Sequence, residues 1–208
     1  KFVGTIPSLH FVTGGMQHYQ DKLFVPVSSK EVLATIFLPG ACCTSHGMLV
    51  ALDASTGATL WQFHTTRNAD VTIQPGARVG PNGAPVWATP TLDKARNAIY
   101  IGTGQNYTEP ATTTSDAIIS LDMDSGDVNW IFQARDNDTW NGNCSFVGSL
   151  RCSDPVGHDF DFGAAPILLD DGNTLIAGDK GGVVYSIQAD TGTLNWTNKV
   201  SKGSTLGG

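Results

Sequence analysis

GMLVALDASTGATLW at 47–61, DAIISLDMDSGDVNW at 116–130 and GVVYSIQADTGTLNW at 182–196 are three copies of one fifteen-residue pattern. Each opens on an alternating apolar stretch, passes through a polar turn containing glycine, and closes on a short second strand ending in tryptophan. Gly57, Gly126 and Gly192 each stand four residues before a tryptophan, and Trp61, Trp130 and Trp196 are 69 and 66 residues apart. A fixed long period built from strands is the mark of a repeat architecture, and antiparallel repeats of this kind make a β-propeller.

The repeat extends upstream of each copy. KLFVPVS at 22–28, AIYIGTG at 98–104 and NTLIAGD at 173–179 supply one further strand per unit. TGGMQHYQD at 13–21, WATPTLD at 87–93 and FGAAPILLD at 162–170 supply another. Four strands per unit, with Asp, Asn, Gly and Lys in the connections, form one blade. The expected fold is all-β: a propeller segment of three four-stranded antiparallel blades, at roughly 13–83, 84–160 and 161–208, with no helix beyond short turns. Known rings use about four to eight blades. Three therefore read as part of a seven- or eight-bladed ring, either a segment of a longer propeller or half of a two-chain one. The remainder of the propeller is then a partner.

Composition excludes several classes. A net charge of −7 and a pI near 4.9 argue against nucleic acid and against an anionic membrane surface as partners. No apolar run reaches the length of a membrane helix. The 24 glycines and 10 prolines suit a turn-rich β protein. The four cysteines form two close pairs, Cys42 with Cys43 and Cys144 with Cys152, which reads as two disulfides and an oxidising compartment, extracellular or periplasmic; the other reading is four reduced core thiols. Asn106, Asn137, Asn143 and Asn195 each begin an Asn-x-Ser/Thr sequon and are glycan acceptors if the source is eukaryotic.

Blade topology sorts the unusual residues. Counting strands outward from the axis, the connections from fourth to first and from second to third strands share one face. Those are the long ones: 29–46, 64–83, 105–115 and 133–160. Both cysteine pairs fall there, with Trp87 and Asp161 at the starts of innermost strands and Lys180 at a turn between second and third strands. Long loops gathered on one face of a rigid scaffold are where sites are built. An aromatic plate, a carboxylate and an ammonium around the axis suit a flat, anionic, oxygen-rich ligand, the aspartate taking a proton from a substrate. Each also has a plainer reading: Trp87 as inter-blade core, Asp161 (or Asp159 beside it) as a turn cap, and Lys180 as a solvated hairpin residue.

CCTSHGMLVALDASTG, VWATPTLDKARNAIYIGTGQNY and DFDFGAAPILL followed by AGDKGGVVYSIQADTG, in that order, resemble the pyrroloquinoline quinone (PQQ) dehydrogenases, the propeller quinoproteins, with the branch oxidising polyvinyl alcohol as the nearest pattern. The resemblance implies PQQ and calcium as cofactors, and oxidation of a small or polymeric alcohol, polyvinyl alcohol or related secondary alcohols, with electrons passed to a separate acceptor. It implies Trp87 as the floor under the quinone, Asp161 as catalytic base and calcium ligand, Lys180 as the cation on the quinone oxygens, and Thr13 as a further cofactor contact. It also implies that a vicinal Cys42–Cys43 disulfide lies against the quinone, although in well-known members that ring comes one blade earlier. Two calcium ligands depart from the pattern. Ala41-Cys42-Cys43 stands where a glutamate is expected, with Glu31 or a loop outside this segment as the substitute, and Gln105 stands where an asparagine is expected, with Asn106 next to it. The second hypothesis is therefore a non-catalytic extracellular propeller that keeps the framework without the cofactor.

Overall fold

A computed structural model describes residues 10–35, 43, 45–66, 82–145, 152 and 156–204. These form three antiparallel sheets. The first holds β1 (His10–Phe11), β2 (Gln17–Tyr19), β3 (Lys22–Ser29), β4 (Met48–Asp53) and β5 (Thr59–His64). The second holds β6 (Thr91–Asp93), β7 (Ala98–Gly102), β8 (Ala117–Asp122) and β9 (Val128–Gln133). The third holds β10 (Ile167–Leu168), β11 (Thr174–Gly178), β12 (Val183–Gln188) and β13 (Leu194–Lys199). The helical content among the described residues is one turn of α-helix at Glu31–Ala34 and a 3-10 turn at Gly142–Ser145. No helix among the described residues is long and apolar enough to cross a membrane.

The innermost strands are shorter than the sequence pattern indicates. Pro90 immediately precedes β6 and Pro166 immediately precedes β10, and a proline has no N–H to give to a ladder. Trp87 and Asp161 therefore sit not on strands but in the extended leaders that carry the chain to them. In the first sheet the inner edge is split: β1 pairs with the Ser28–Ser29 end of β3, and β2 pairs with its Lys22–Phe24 end. That sheet reaches upstream to His10, before Thr13.

The internal repeat persists in the ladders. Each sheet shifts register at the same place, between Ala51 and Leu52, Ser120 and Leu121, and Ser186 and Ile187. The residue before each shift faces the repeat tryptophan, so a bulge adds twist where the outer strand turns toward its neighbour.

Sheets pack face to face through two apolar seams. Phe24, Leu49 and Ala51 meet Ile99, Ile119 and Leu121 in one, while Tyr100 and Ile118 meet Phe162, Leu175 and Tyr185 in the other. β8 thus sends alternate residues to opposite neighbours, as period-two geometry requires of a strand buried on both faces. The outer strand β13 is exposed throughout.

A latch recurs across both seams. The Trp61 indole N–H donates to the carbonyl of Met123 at 3.1 Å, and that of Trp130 to the carbonyl of Ala189 at 3.1 Å. Each ring lies on a turn glycine of the next sheet: a Cβ on Gly126 would be 2.6 Å from Trp61, and one on Gly192 would be 2.6 Å from Trp130. Gly57 has the same left-handed backbone, φ +72°, yet a Cβ there meets nothing within 4 Å. Gly57→Ala is therefore expected to cost about 1–2 kcal/mol, the left-handed backbone penalty alone. Gly126→Ala and Gly192→Ala should each cost clearly more, because the indole must also move. Urea midpoints of the three variants check this, and equal losses at all three would rule the latch out as a contributor.

Candidate functional site

Lys180 occupies the turn between β11 and β12, and its backbone is fixed on both sides. Its N–H donates to the Asp161 carbonyl at 2.9 Å and its carbonyl accepts from Ser204 N–H at 2.9 Å. Its ammonium lies 2.7 Å from Asp161 Oδ2, 3.3 Å from Asp159 Oδ1 and 5.0 Å from the centroid of the Trp87 ring. The structure thus joins the three residues singled out by the face argument, Trp87, Asp161 and Lys180, and adds Asp159 as a fourth. All three charged side chains are at least nine-tenths buried.

The three charged groups pack closely on one another, with the ammonium over the half-buried indole. Burying a charge without a partner is costly, so the lysine rests on both carboxylates and on the ring face. The adjoining cleft, about 540 Å³, runs along the third sheet between the Lys180 turn and Ser201–Ser204, and it touches the cluster through Lys180 alone.

Asp161 is held from both sides, since its Oδ1 accepts the Gln105 N–H at 3.1 Å. A Cβ on Gly104 would stand 2.9 Å from the Asp161 carboxyl carbon, so the glycine admits the acid. Asp159 bonds Lys180 through Oδ1 only, and its backbone is left-handed at φ +59°. Asp138, itself buried, braces this loop by accepting the N–H groups of Asp159 at 3.2 Å and Phe160 at 3.4 Å.

Burial raises the carboxyls of both Asp159 and Asp161, that of Asp159 to about 8; the neighbouring carboxylate raises Asp159 further and the Lys180 ammonium opposes both shifts. For Lys180, burial works against the charge, but Asp161 and Asp159 outweigh it and the ammonium is retained. One cation therefore faces two carboxyls whose proton affinity burial raises, and the titration of each depends on the charge of the others.

The other expected residues are spread around this cluster. Thr13 is exposed in the loop between β1 and β2, next to Gly14, whose Cβ would press on the carbonyls of Trp87 and Ala88. Cys43 is buried and disulfide-bonded, and its carbonyl accepts Asn82 Nδ2 at 2.7 Å. Cys42 lies outside the described residues. Cys144 and Cys152 are joined in a disulfide, as expected. Of the sequon asparagines, Asn106 is fully buried with its Nδ2 donating to Asn82 O, and Asn143 is also buried, which argues against a glycan at either. Asn137 and Asn195 are exposed.

Trp87 Nε1 and Gln105 Oε1 are buried polar atoms without a hydrogen-bond partner. An indole plate beside a lysine, with an unspent donor and an unspent acceptor nearby, fits a flat ligand rich in carbonyl and carboxylate oxygens. Calcium is a poorer fit. It takes six to eight oxygens, whereas no group of three His, Cys, Asp or Glu among the described residues is arranged to hold a metal. Glu31 is already committed at Oε2, which accepts the Ser45 N–H at 2.7 Å and the Ser45 hydroxyl.

The sequence reading missed Asp138 and Asp116. Asp116 is fully buried at φ +47° with no partner for either carboxylate oxygen, and burial pushes its carboxyl well up. Aligning the three repeats exposes it: Asp116 stands where the other copies carry Gly47 and Gly182.

Comparison with known proteins agrees with this architecture. Residues 37–151 match the family model of the PQQ glucose/ethanol/alcohol dehydrogenase β-propeller domain. The polyvinylalcohol dehydrogenase of Sphingopyxis sp. (strain 113P3) is 36% identical over 207 residues, covering 95% of this chain and 32% of the relative. That of a Pseudomonas sp. is 37% identical over 205 residues, with the same coverage of 95% and 32%. The chain thus spans about a third of the length of these relatives. The solved structure of a quinohemoprotein alcohol dehydrogenase from Pseudomonas putida HK5 superposes with a TM-score of 0.64 at 19% identity, covering 92% of this chain and 28% of that one, a likeness of fold.

Proposed function

The chain belongs to the PQQ glucose/ethanol/alcohol dehydrogenase β-propeller family, and on that premise we propose that it carries the substrate-oxidising site of an exported quinoprotein acting on alcohols, polymeric secondary alcohols included. The observation that carries this reading is the buried constellation of Lys180 between Asp159 and Asp161 beside the Trp87 ring. A structural ion pair needs one carboxylate per ammonium. Here a second carboxyl is buried beside the first at evident cost. The polyvinylalcohol dehydrogenases it resembles supply the substrate class. The Cys144–Cys152 disulfide supports an oxidising compartment, periplasmic or extracellular.

PQQ, when bound, supplies the two-electron acceptor. Trp87 would offer the face it stacks on, and Lys180 the positive charge for its oxygens. The Asp159–Asp161 pair takes the proton of the substrate hydroxyl. Both oxygens of Asp161, the member indicated by the sequence, are already engaged, by Gln105 N–H and by Lys180. Asp159 has one engaged oxygen and is the freer acceptor. Asp138 keeps that loop in place. A proton taken up by the pair must leave before the next hydroxyl is deprotonated, and Lys180 keeps the remaining negative charge stable while it does. Gln105 Oε1 is the unpartnered oxygen that would be offered to a cation, and Asp161 could join it only by giving up one of its present bonds; the described residues provide no full set, so no step is assigned to one.

Titration of the native protein with PQQ, followed by tryptophan fluorescence, tests this. One equivalent per chain should quench part of the emission, and Trp87→Leu should remove that part. A protein that takes up no PQQ would be a non-catalytic propeller.

A further inference from the structure

The alternation in the loop HDFDF at 158–162 sends Asp159 and Asp161 one way and Phe160 the other. On that other side lies Arg135, which follows β9 of the second sheet. Its guanidinium carbon sits 4.7 Å from the centroid of the Phe160 ring. The edge of the same guanidinium crosses to the third sheet, where Nε and Nη2 donate to Asp179 Oδ2 at 3.2 and 3.0 Å. Asp179 immediately precedes Lys180. Its side chain is wholly buried and accepts in addition the Tyr185 hydroxyl at 2.9 Å and the Val183 N–H at 2.9 Å. Gly181 completes the joint, because a Cβ there would stand 2.6 Å from Arg135 Nη2 and 2.8 Å from Phe160.

Resting on the function proposed above, we infer that Arg135 is a positioning residue that sets Lys180 between Asp159 and Asp161 by clamping the lysine turn and the carboxylate loop with the two surfaces of one guanidinium. The face of the group fixes the loop through Phe160, and its edge fixes the turn through Asp179. Neither surface touches the reacting groups. A planar cation with several fixed donors does both at once; an ammonium is a point charge and can do only the second, less firmly. Arg135 also supplies the cation that the buried Asp179 carboxylate requires.

Arg135→Lys separates the two tasks, since it keeps the charge and loses the stacking and the two-pronged contact. Phe160→Leu, which leaves Arg135 intact, is the companion variant. In the native protein, labelling with an amine-specific acylating reagent and peptide mapping would compare Lys180 with the exposed Lys94 and Lys202. Lys180 should label about tenfold faster in both variants through local opening, with the other two lysines unchanged. PQQ affinity should fall about tenfold in Arg135→Lys, and should fall no further when the same change is made in a Lys180→Met background. An unchanged Lys180 labelling rate, faster labelling of all three lysines, or an equal loss of affinity in both backgrounds would overturn the inference. If the native protein binds no PQQ, the proposed function fails, whereas the labelling result still decides the role of Arg135.

Discussion

Asp159→Asn is expected to lower the rate of alcohol oxidation by about a hundredfold or more, the range of a lost general base, while the protein folds normally. The amide cannot take the hydroxyl proton. The substitution is mild for the fold, because asparagine accepts the left-handed backbone, φ +59°, that Asp159 adopts. The backbone N–H that anchors the loop to Asp138 is untouched. Asp161→Asn should also reduce turnover, by a different route: it weakens the 2.7 Å pair with Lys180 and leaves the ammonium less firmly placed. In the parent, activity should rise with pH over the range in which the Asp159–Asp161 pair gives up its proton. That range lies above the ordinary carboxylate range, since burial raises both groups. The acid limb of the profile should be lost in Asp159→Asn. If that variant keeps parental activity and Asp161→Asn abolishes it, the base is Asp161, as the sequence alone indicates.

Lys180→Ala should have the second largest effect, in two measurements. Turnover should drop by about a hundredfold, because the positive charge that would meet the developing negative charge on the quinone oxygen is gone. Stability should fall in a pH-dependent way. Without the ammonium, two buried carboxyls face each other, and their folded-state pKa values rise further above their unfolded values. A group with a raised folded pKa favours the folded state at low pH, where it is protonated in both states, and loses that advantage as pH rises through the folded value. The variant should therefore be close to the parent in stability at about pH 5 and less stable by about 3–5 kcal/mol at about pH 9. Urea unfolding at the two pH values measures the difference. A deficit that is largest in acid would mean that burial does not raise the carboxyls.

The fold was legible in the sequence because a propeller writes its pattern three times. GMLVALDASTGATLW and its two relatives gave the outer strands nearly to the residue, and the turns carried their own chemistry. The innermost strands were overextended, because alternation in WATPTLD and FGAAPILLD was read across Pro90 and Pro166. The convergence of Trp87, Asp161 and Lys180 was legible through topology, since three residues on one face near one axis must approach one another. The pairing of one lysine with two acids was not, because nothing in the sequence says which of Asp159 and Asp161 a distant lysine will meet. Arg135 and Asp138 escaped notice for a similar reason. Each acts across a seam or a loop crossing, on Asp179 and on the Asp159 amide, and no local pattern records such a contact. The latch left only half its trace: the spacing from Gly126 to Trp130 was visible, but Gly126 supports Trp61 of the preceding sheet instead. Asn106 shows the opposite failure, a valid sequon whose amide the fold had already used.

Alcohol-dependent reduction of an artificial electron acceptor by the native protein, measured with and without added PQQ, is the decisive test of a quinone-dependent site at Asp159, Asp161 and Lys180. Turnover of a secondary alcohol should appear only when PQQ is present and should collapse in Asp159→Asn and Lys180→Ala. Turnover without the quinone, or none with the quinone bound, would contradict such a site.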